Sequence, residues 1–306
     1  MIAPAADGKA DTRGDAWLRA MPAVFVLIWS TGFVVARLGM PHAPPFGFLA
    51  WRYALSVLLF VAWVGVSRAA WPKGLAQWGH LAVTGMLMHA GYLGGVWAAV
   101  KGGLGAGTAA LIVGLQPLLT AIWVSLQGPA HRVGARQWLG LVLGLAGLLL
   151  VVLHRLGSGQ ATVQTVALAF GALASITAGT LYQKGRVAPC DVRSAAVVQL
   201  LAAFAVTAPL ALLETEPVVW HRDLQLAMGW SVVALTLGGS SLLYLLIQRG
   251  AATRVSSLMY LVPPCTAVLA WLMFDEPITP TVVAGMVLTA LGVGLVLHQP
   301  PPTARP

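Results

Sequence analysis

Residues Leu104–Leu126 read LGAGTAALIVGLQPLLTAIWVSL, and this stretch decides the fold. It is 23 residues long and contains no ionisable side chain. As an α-helix it is long enough to cross the roughly 30 Å hydrocarbon core of a bilayer. Its interior carries a Gln116-Pro117 step. Far downstream, SSLMYLVPPCTA (Ser256–Ala267) lies in register with ALIVGLQPLLTA (Ala110–Ala121). At an offset of 146, Leu115 meets Leu261, Pro117 meets Pro263, Thr120 meets Thr266 and Ala121 meets Ala267. A membrane helix with an interior proline, written twice, points to two copies of a larger unit.

The composition agrees with a membrane solvent. The 306 residues are 58% hydrophobic and only 9% charged, whereas soluble domains carry about 25% charge. The nine acids, Asp7, Asp11, Asp15, Asp191, Glu214, Glu216, Asp223, Asp275 and Glu276, all sit in polar connecting stretches. The net charge of +9 comes from bases scattered singly, not clustered into a stripe, so no nucleic-acid partner is expected. Cys190 reads as a loop residue and Cys265 as a helix residue, which is no disulfide framework. The first 20 residues mix acids with bases and lack an apolar h-region, so no cleavable signal peptide is expected.

Apolar runs between polar breaks predict ten spans: 21–38, 47–67, 78–98, 105–126, 137–153, 163–183, 194–213, 228–248, 255–273 and 280–298. Residues 1–20 and 299–306 read as polar tails. Lys and Arg in alternate loops set the orientation. Thirteen bases fall on the N-terminal side and four, Arg37, Lys101, Arg155 and Arg222, on the other. Both termini are therefore expected in the cytoplasm. At an offset of 147, Gly32 meets Gly179, Gly91 meets Gly238 and Gly103 meets Gly250. After the proline helix the offset drifts to 145, where Gly140 meets Gly285 and Gly147 meets Gly292. Residues 21–153 and 163–298 thus read as two five-helix units. An odd helix count inserts the second unit upside down, the inverted-repeat plan of many secondary transporters. Chance matching in a background rich in Gly, Ala and Leu is the alternative.

On three stretches the chain resembles the drug/metabolite transporter superfamily, in its EamA branch. They are IWSTGFVVARLGMPHAPPFGFLAWRYAL (Ile28–Leu55), GTAALIVGLQPLLTAI (Gly107–Ile122) and SSLMYLVPPCTAVLAWLMFDEP (Ser256–Pro277). The resemblance implies an all-α membrane protein with ten helices in two inverted halves. It also implies export of small metabolites across a bacterial inner membrane. The Gly-Glu often found after the fourth helix of that family is replaced by Gln127-Gly128-Pro129, while Asp275-Glu276 stands in the second half.

Candidate substrate-binding residues follow from depth and polarity. Arg52 is the only charge within a predicted span, about 10 Å deep at 1.5 Å per residue if the helix starts near Pro45. Intramembrane charges are functional candidates, but a long Arg side chain also snorkels from that depth. Its mate at the 147 offset is Gln199. His89 falls about 16 Å in, near the midplane, with Tyr92 three residues on and so on the same helix face. A buried imidazole bonded to a neighbouring helix is the competing reading. Ser240 and Tyr244 are co-facial, as are Ser256 and Tyr260. Trp29, Ser30, Gln116 and Thr177 complete the set, lying on the first, fourth and sixth spans. Hydroxyls in membrane helices usually bond their own backbone or a packed neighbour, so it is convergence that matters. Pro117 and Pro263 free backbone carbonyls, and such helix breaks point to a transporter site or to a structural kink.

Neither a nucleotide-binding loop nor a metal-ligand cluster is visible, since the seven histidines are dispersed. No cofactor is expected, and an ATP-driven pump is disfavoured. The expectation is a secondary exporter of small amphipathic metabolites, amino acids or related compounds, with the lipid bilayer as its solvent. A membrane-embedded enzyme acting on a lipid, and a non-catalytic subunit or channel, are the competing classes. The sequence leaves the oligomeric state open.

Overall fold

A computed structural model describes residues 12–126, 134–242 and 261–297. The described chain is a bundle of helices. They are α1 (Thr12–Gly39), α2 (Pro45–Ser67), α3 (Leu75–Lys101), α4 (Ala106–Val113 continued by Gln116–Leu126) and α5 (Ala135–Gly157). There follow α6 (Val163–Arg186), α7 (Val192–Leu213), α8 (Arg222–Trp230 continued by Ser231–Ser240), α9 (Val262–Phe274) and α10 (Pro280–Leu297). Six of them, α2 to α7, are long and apolar enough to cross a membrane, and Ala23–Gly39, Val262–Phe274 and Pro280–Leu295 are shorter apolar helices. Large side chains such as Leu58, Leu139, Val142, Leu212 and Leu272 face outward, as a lipid-solvated surface requires. Exposed Trp71, Trp78 and Trp138 lie near helix ends, where indoles favour the headgroup level.

The apolar runs locate these helices, but polar turns lengthen several. α1 begins at Thr12, within the stretch that composition assigns to a polar tail. α8 begins at Arg222, six residues before its apolar run, because His221 caps it by accepting from the Asp223 N–H at 3.2 Å. Elsewhere local signals match the ends. Pro45 opens α2 in the first turn, where its missing N–H costs nothing. The Thr162 hydroxyl caps α6 through the Thr165 N–H at 3.2 Å, and the Asp191 carboxylate caps α7 through the Arg193 N–H at 2.9 Å.

Two close crossings organise the bundle. α5 runs against α10, where a Cβ on Gly147 would overlap backbone atoms of Gly285 and Thr289, and one on Gly292 would overlap Gly140 and Gly144. Only glycine permits backbones to approach this closely. These two contacts exchange under the 145 offset, since 140 maps to 285 and 147 to 292. α4 breaks at Gly114-Leu115 and crosses α9 there, with Pro263 Cγ lying 3.0 Å from where a Gly114 Cβ would stand. Pro117 is the second residue of the segment after the break, and Pro263 the second residue of α9, so both prolines stand at helix starts.

A feature without any sequence signal sits in α3 and α8. Residues Met86–Gly91 and Ser231–Ser240 are wound as π-helix. Shifting 231–240 by 147 gives 84–93, which brackets the first segment. π-Turns are rare and gather at functional sites, because they redirect side chains and loosen the backbone ladder.

Candidate functional site

Both π segments contribute to one cavity, Met88 and His89 from the first and Leu235 and Ser240 from the second, and Arg52 of α2 lines it with them. Its side chain is 5% exposed. Nε donates to the Thr236 hydroxyl at 3.1 Å, and that hydroxyl donates to the Ser231 carbonyl at 2.8 Å. The guanidinium carbon sits 5.5 Å from the Trp97 ring centroid, a cation–π contact. Among the described residues, Arg52 Nη1 has no hydrogen-bond partner, and Arg52 makes no ion pair. An unpaired buried cation is costly, by several kcal/mol even after relaxation.

The neighbouring α2 residue, Tyr53, donates to the His89 backbone carbonyl at 2.9 Å and meets the imidazole edge-on at 6.1 Å between centroids. That hydrogen bond satisfies a carbonyl in the π segment, where the helical ladder is irregular. The Gln199 carboxamide of α7 lies against the His89 ring, and the Trp29 indole of α1 against the Tyr92 hydroxyl. Between these groups is about 800 Å³ of open space, part of it continuous with the exterior. Trp29, Arg52, His89, Tyr92 and Ser240 line it, together with Phe33, Met88, Leu93, Trp97, Ile176, Gln183, Gln199 and Leu235. A mostly apolar cleft with a few convergent polar groups is the usual form of a small-molecule site.

Other candidates stand apart. Ser30 is fully buried, donates to the Val26 carbonyl at 2.7 Å, and offers its own carbonyl to Thr266 at 3.1 Å. Thr177 donates to the Leu173 carbonyl at 2.7 Å. Gln116 donates to the Thr180 hydroxyl at 3.0 Å, tying α4 to α6. Their polar atoms serve backbone or neighbouring helices, and none lines the cavity. Tyr244, Ser256 and Tyr260 lie outside the described residues.

Sequence reasoning passed over Trp97, Gln183 and Thr236 and used Gln199 only as the mate of Arg52. The signal for Gln199 was that offset, whereas Trp97 stands one residue from the end of the predicted span 78–98 and carries no signal. Phe33, Met88, Leu93 and Leu235 carry no signal that separates them from ordinary core.

The molecule is knit together at one end. Glu214 caps α2, accepting from Phe46 N at 3.0 Å and Gly47 N at 2.7 Å. Glu276 accepts from Ala106 N at the start of α4 at 3.0 Å, with Arg37 3.9 Å away. Lys101 bridges the Met40 carbonyl at 3.0 Å and Glu216 at 2.5 Å. The same end gathers His42, His221 and Asp223, whose ligand-type atoms lie within 4.8 Å of one another, a grouping that the dispersed sequence positions concealed. The two rings stack at 4.4 Å, and His221 Nδ1 spends its lone pair on the α8 cap.

Residues 18–153 and again 164–298 match the EamA-like transporter family. An uncharacterized transporter of Archaeoglobus fulgidus is 24% identical over 286 residues, covering 89% of this chain and 94% of its own. The uncharacterized transporter YvbV of Bacillus subtilis is 26% identical, covering 90% of this chain and 89% of its own. A probable amino-acid metabolite efflux pump of Salmonella typhimurium is 26% identical over 159 residues, 52% of this chain and 50% of its own. A crystal structure superposes with a TM-score of 0.65 at 18% identity, over 90% of this chain and 94% of that one. That likeness speaks for the fold alone.

Proposed function

Since the chain belongs to the EamA-like transporter family, we propose that it is a secondary exporter of small amphipathic metabolites, amino acids or related compounds, working by alternating access. The observation that carries this reading is Arg52: a buried cation with an unpartnered Nη1, at the edge of an apolar cavity. A carboxylate on the substrate offsets that charge, and Trp29, Phe33 and Leu235 receive the apolar body. The efflux pump of Salmonella typhimurium, named for amino-acid metabolites, lends support to the substrate class.

Alternating access needs two halves that rock about a central site. In this proposal residues 21–153 and 163–298 are inverted repeats, giving ten spans. The double family match, the exchanging glycine contacts of α5 and α10, and the paired π segments support it. The acidic end, where Glu214 and Glu276 cap helices of the first half, is the closed gate of this conformation. The four-base side of the Lys/Arg distribution coincides with that end, which supports the reading that it lies outside a bacterial inner membrane with both termini in the cytoplasm.

Reconstitution into liposomes with a panel of candidate solutes tests the reading. Saturable flux of a carboxylated metabolite is the expected result, and absence of flux for every solute refutes it. Reporter fusions at either terminus check orientation, and an extracytoplasmic signal refutes the topology.

A further inference from the structure

We infer that the cavity selects an organic monocarboxylate that has an apolar body and no ammonium group, and that this substrate crosses as an anion. The inference narrows the transport reading, from amino acids and related compounds to the related carboxylates that lack the ammonium group, and, for its second half, rests on it.

The observation is an excess of donors. Arg52 Nη1, Gln199 Nε2 and Trp97 Nε1 are all buried and all without a partner among the described residues, and all three side chains line the same cavity. Their residues are 5%, 9% and 1% exposed. Buried donors are nearly always satisfied in folded proteins, so three unpartnered donors among the residues of one cavity favour a ligand that brings an acceptor. A carboxylate supplies two oxygens with about four lone-pair sites, and Arg offers it paired N–H groups. Among the described residues, acceptors with a negative charge are missing from the same space, since no Asp or Glu is among its lining residues. Glu214, Glu216 and Glu276 are engaged at the closed end, and Asp191 is held by Arg193.

A zwitterionic amino acid fits this inventory poorly. With its carboxylate on Arg52, its ammonium stands roughly 6 Å from the guanidinium. At an effective dielectric of about 20, that repulsion weakens binding about a hundredfold. The Trp29 ring and the Ser240 and Tyr92 hydroxyls recover part of the loss, so a discrimination of at least tenfold is expected. The position related to Arg52 by the 147 offset, where a counter-charge for an ammonium would be natural, holds the neutral Gln199.

The charge also fixes the driving force. Charges fixed in the protein return to their places after each cycle, so the net charge moved is that of the substrate. A monoanion leaving a cell whose interior is negative is driven outward about fiftyfold per 100 mV. No coupling ion is then needed, in keeping with spans that hold no carboxylate.

The test uses the full chain and three ligands that differ by one group: 3-phenylpropionate, phenylalanine and phenethylamine. Binding is read from tryptophan fluorescence in detergent. Expected is 3-phenylpropionate at least tenfold tighter than phenylalanine, with phenethylamine not binding. Equal or tighter binding of phenylalanine, or no binding of 3-phenylpropionate, overturns the inference. Proteoliposomes loaded with labelled 3-phenylpropionate, with equal pH on both sides and a valinomycin-imposed potassium potential, give the second reading. Efflux should quicken severalfold when the interior is made negative, and indifference to the potential overturns anion transport. Tight 3-phenylpropionate binding without any flux defeats the transporter reading and leaves the ligand class standing. Phenylalanine flux with preferred phenylalanine binding does the reverse. Arg52→Gln should weaken 3-phenylpropionate binding roughly 10–100-fold and Gln199→Leu should weaken it severalfold, while the ligand series on the unaltered chain decides the matter even if a variant does not fold.

Discussion

Arg52 Nε donates to the Thr236 hydroxyl at 3.1 Å, joining residues 184 positions apart. Shifting each by the 147-residue offset exchanges the two halves: Arg52 maps to Gln199 and Thr236 maps back to His89. The image pair, Gln199 and His89, is also in contact. A polar side chain on the second helix of each proposed unit thus reaches the π segment of the other. The arrangement is symmetric in position and asymmetric in charge, because a cation occupies one place and a neutral amide the other. Among the described residues Arg52 is thus the one Lys, Arg, Asp or Glu that lines the cavity, the anchor of the proposed site.

Replacing the anchor should separate binding from stability. Arg52→Gln removes a charge-assisted contact with the substrate, worth about 1.5–3 kcal/mol, or roughly 10–100-fold in Kd. It also removes an unpaired buried cation, so the melting temperature of the empty protein should not fall. Thr236→Ala should act the other way round. It leaves Arg52 Nε without its acceptor and destabilises by about 1–3 kcal/mol. Ligand titration and thermal melts of both variants check the pairing. A large loss of stability in Arg52→Gln would assign Arg52 a structural role.

Much of this arrangement was legible before any coordinates. The apolar runs located the helices, because a bilayer requires long uninterrupted ones. Depth, polarity and helix spacing selected Trp29, Arg52, His89, Tyr92 and Ser240, all of which line the cavity. Depth could not separate them from Ser30 and Thr177, since a hydroxyl facing a cavity and one bonded to its own helix look alike in sequence. The π segments left no trace, because extra helix residues are accommodated through packing, against α6 and α7 for the first and α1 and α2 for the second, and not through local propensity. The His42, His221 and Asp223 cluster joins loops 179 residues apart and depends wholly on tertiary folding.

The glycine crossing of α5 and α10 offers a matched comparison on one helix. Gly292→Ala places a methyl group onto the backbone of Gly140 and Gly144, whereas Gly294→Ala meets nothing within 4 Å. The first should destabilise by about 1–3 kcal/mol through overpacking. The second should be neutral or slightly stabilising, as expected for Ala in place of Gly in a helix. Thermal melts in the same detergent check both. Equal effects would mean that the two helices do not pack closely in the folded protein.

Glu214 and Glu276 should act as latches. Each accepts backbone N–H groups at the start of a helix from the other proposed half, so truncation leaves those donors without their caps. Glu214→Ala and Glu276→Ala should each cost about 1–2 kcal/mol in the closed-end conformation. The expected consequence is opening at that end. Labelling of a cysteine introduced at Trp29 by a membrane-impermeant thiol reagent, applied from the extracytoplasmic side, should speed up severalfold in either variant. Unchanged labelling would show that the carboxylates cap helices without holding a gate.

His89 is the remaining group through which a proton could be coupled, and the proposed mechanism gives it no such duty. The spans contain no carboxylate to relay a proton, and the imidazole is held by its neighbours: the Tyr53 ring meets it edge-on, and the Gln199 carboxamide lies against it. Its backbone carbonyl is fixed by the Tyr53 hydroxyl at 2.9 Å. Export down a gradient, or down the membrane potential, needs only a site exposed alternately to each side. In proteoliposomes clamped at zero potential, substrate flux should therefore ignore an imposed pH gradient, in the unaltered protein and in His89→Gln alike. Counterflow exchange should persist in the variant at a rate within about tenfold, since glutamine keeps a hydrogen-bonding group against Gln199 and binding elsewhere is unchanged. A gradient response that disappears with His89→Gln would make the imidazole a proton carrier and replace facilitated export by proton coupling. A response that survives the substitution would place the carrier elsewhere, and the residues of 243–260 would be the next to test.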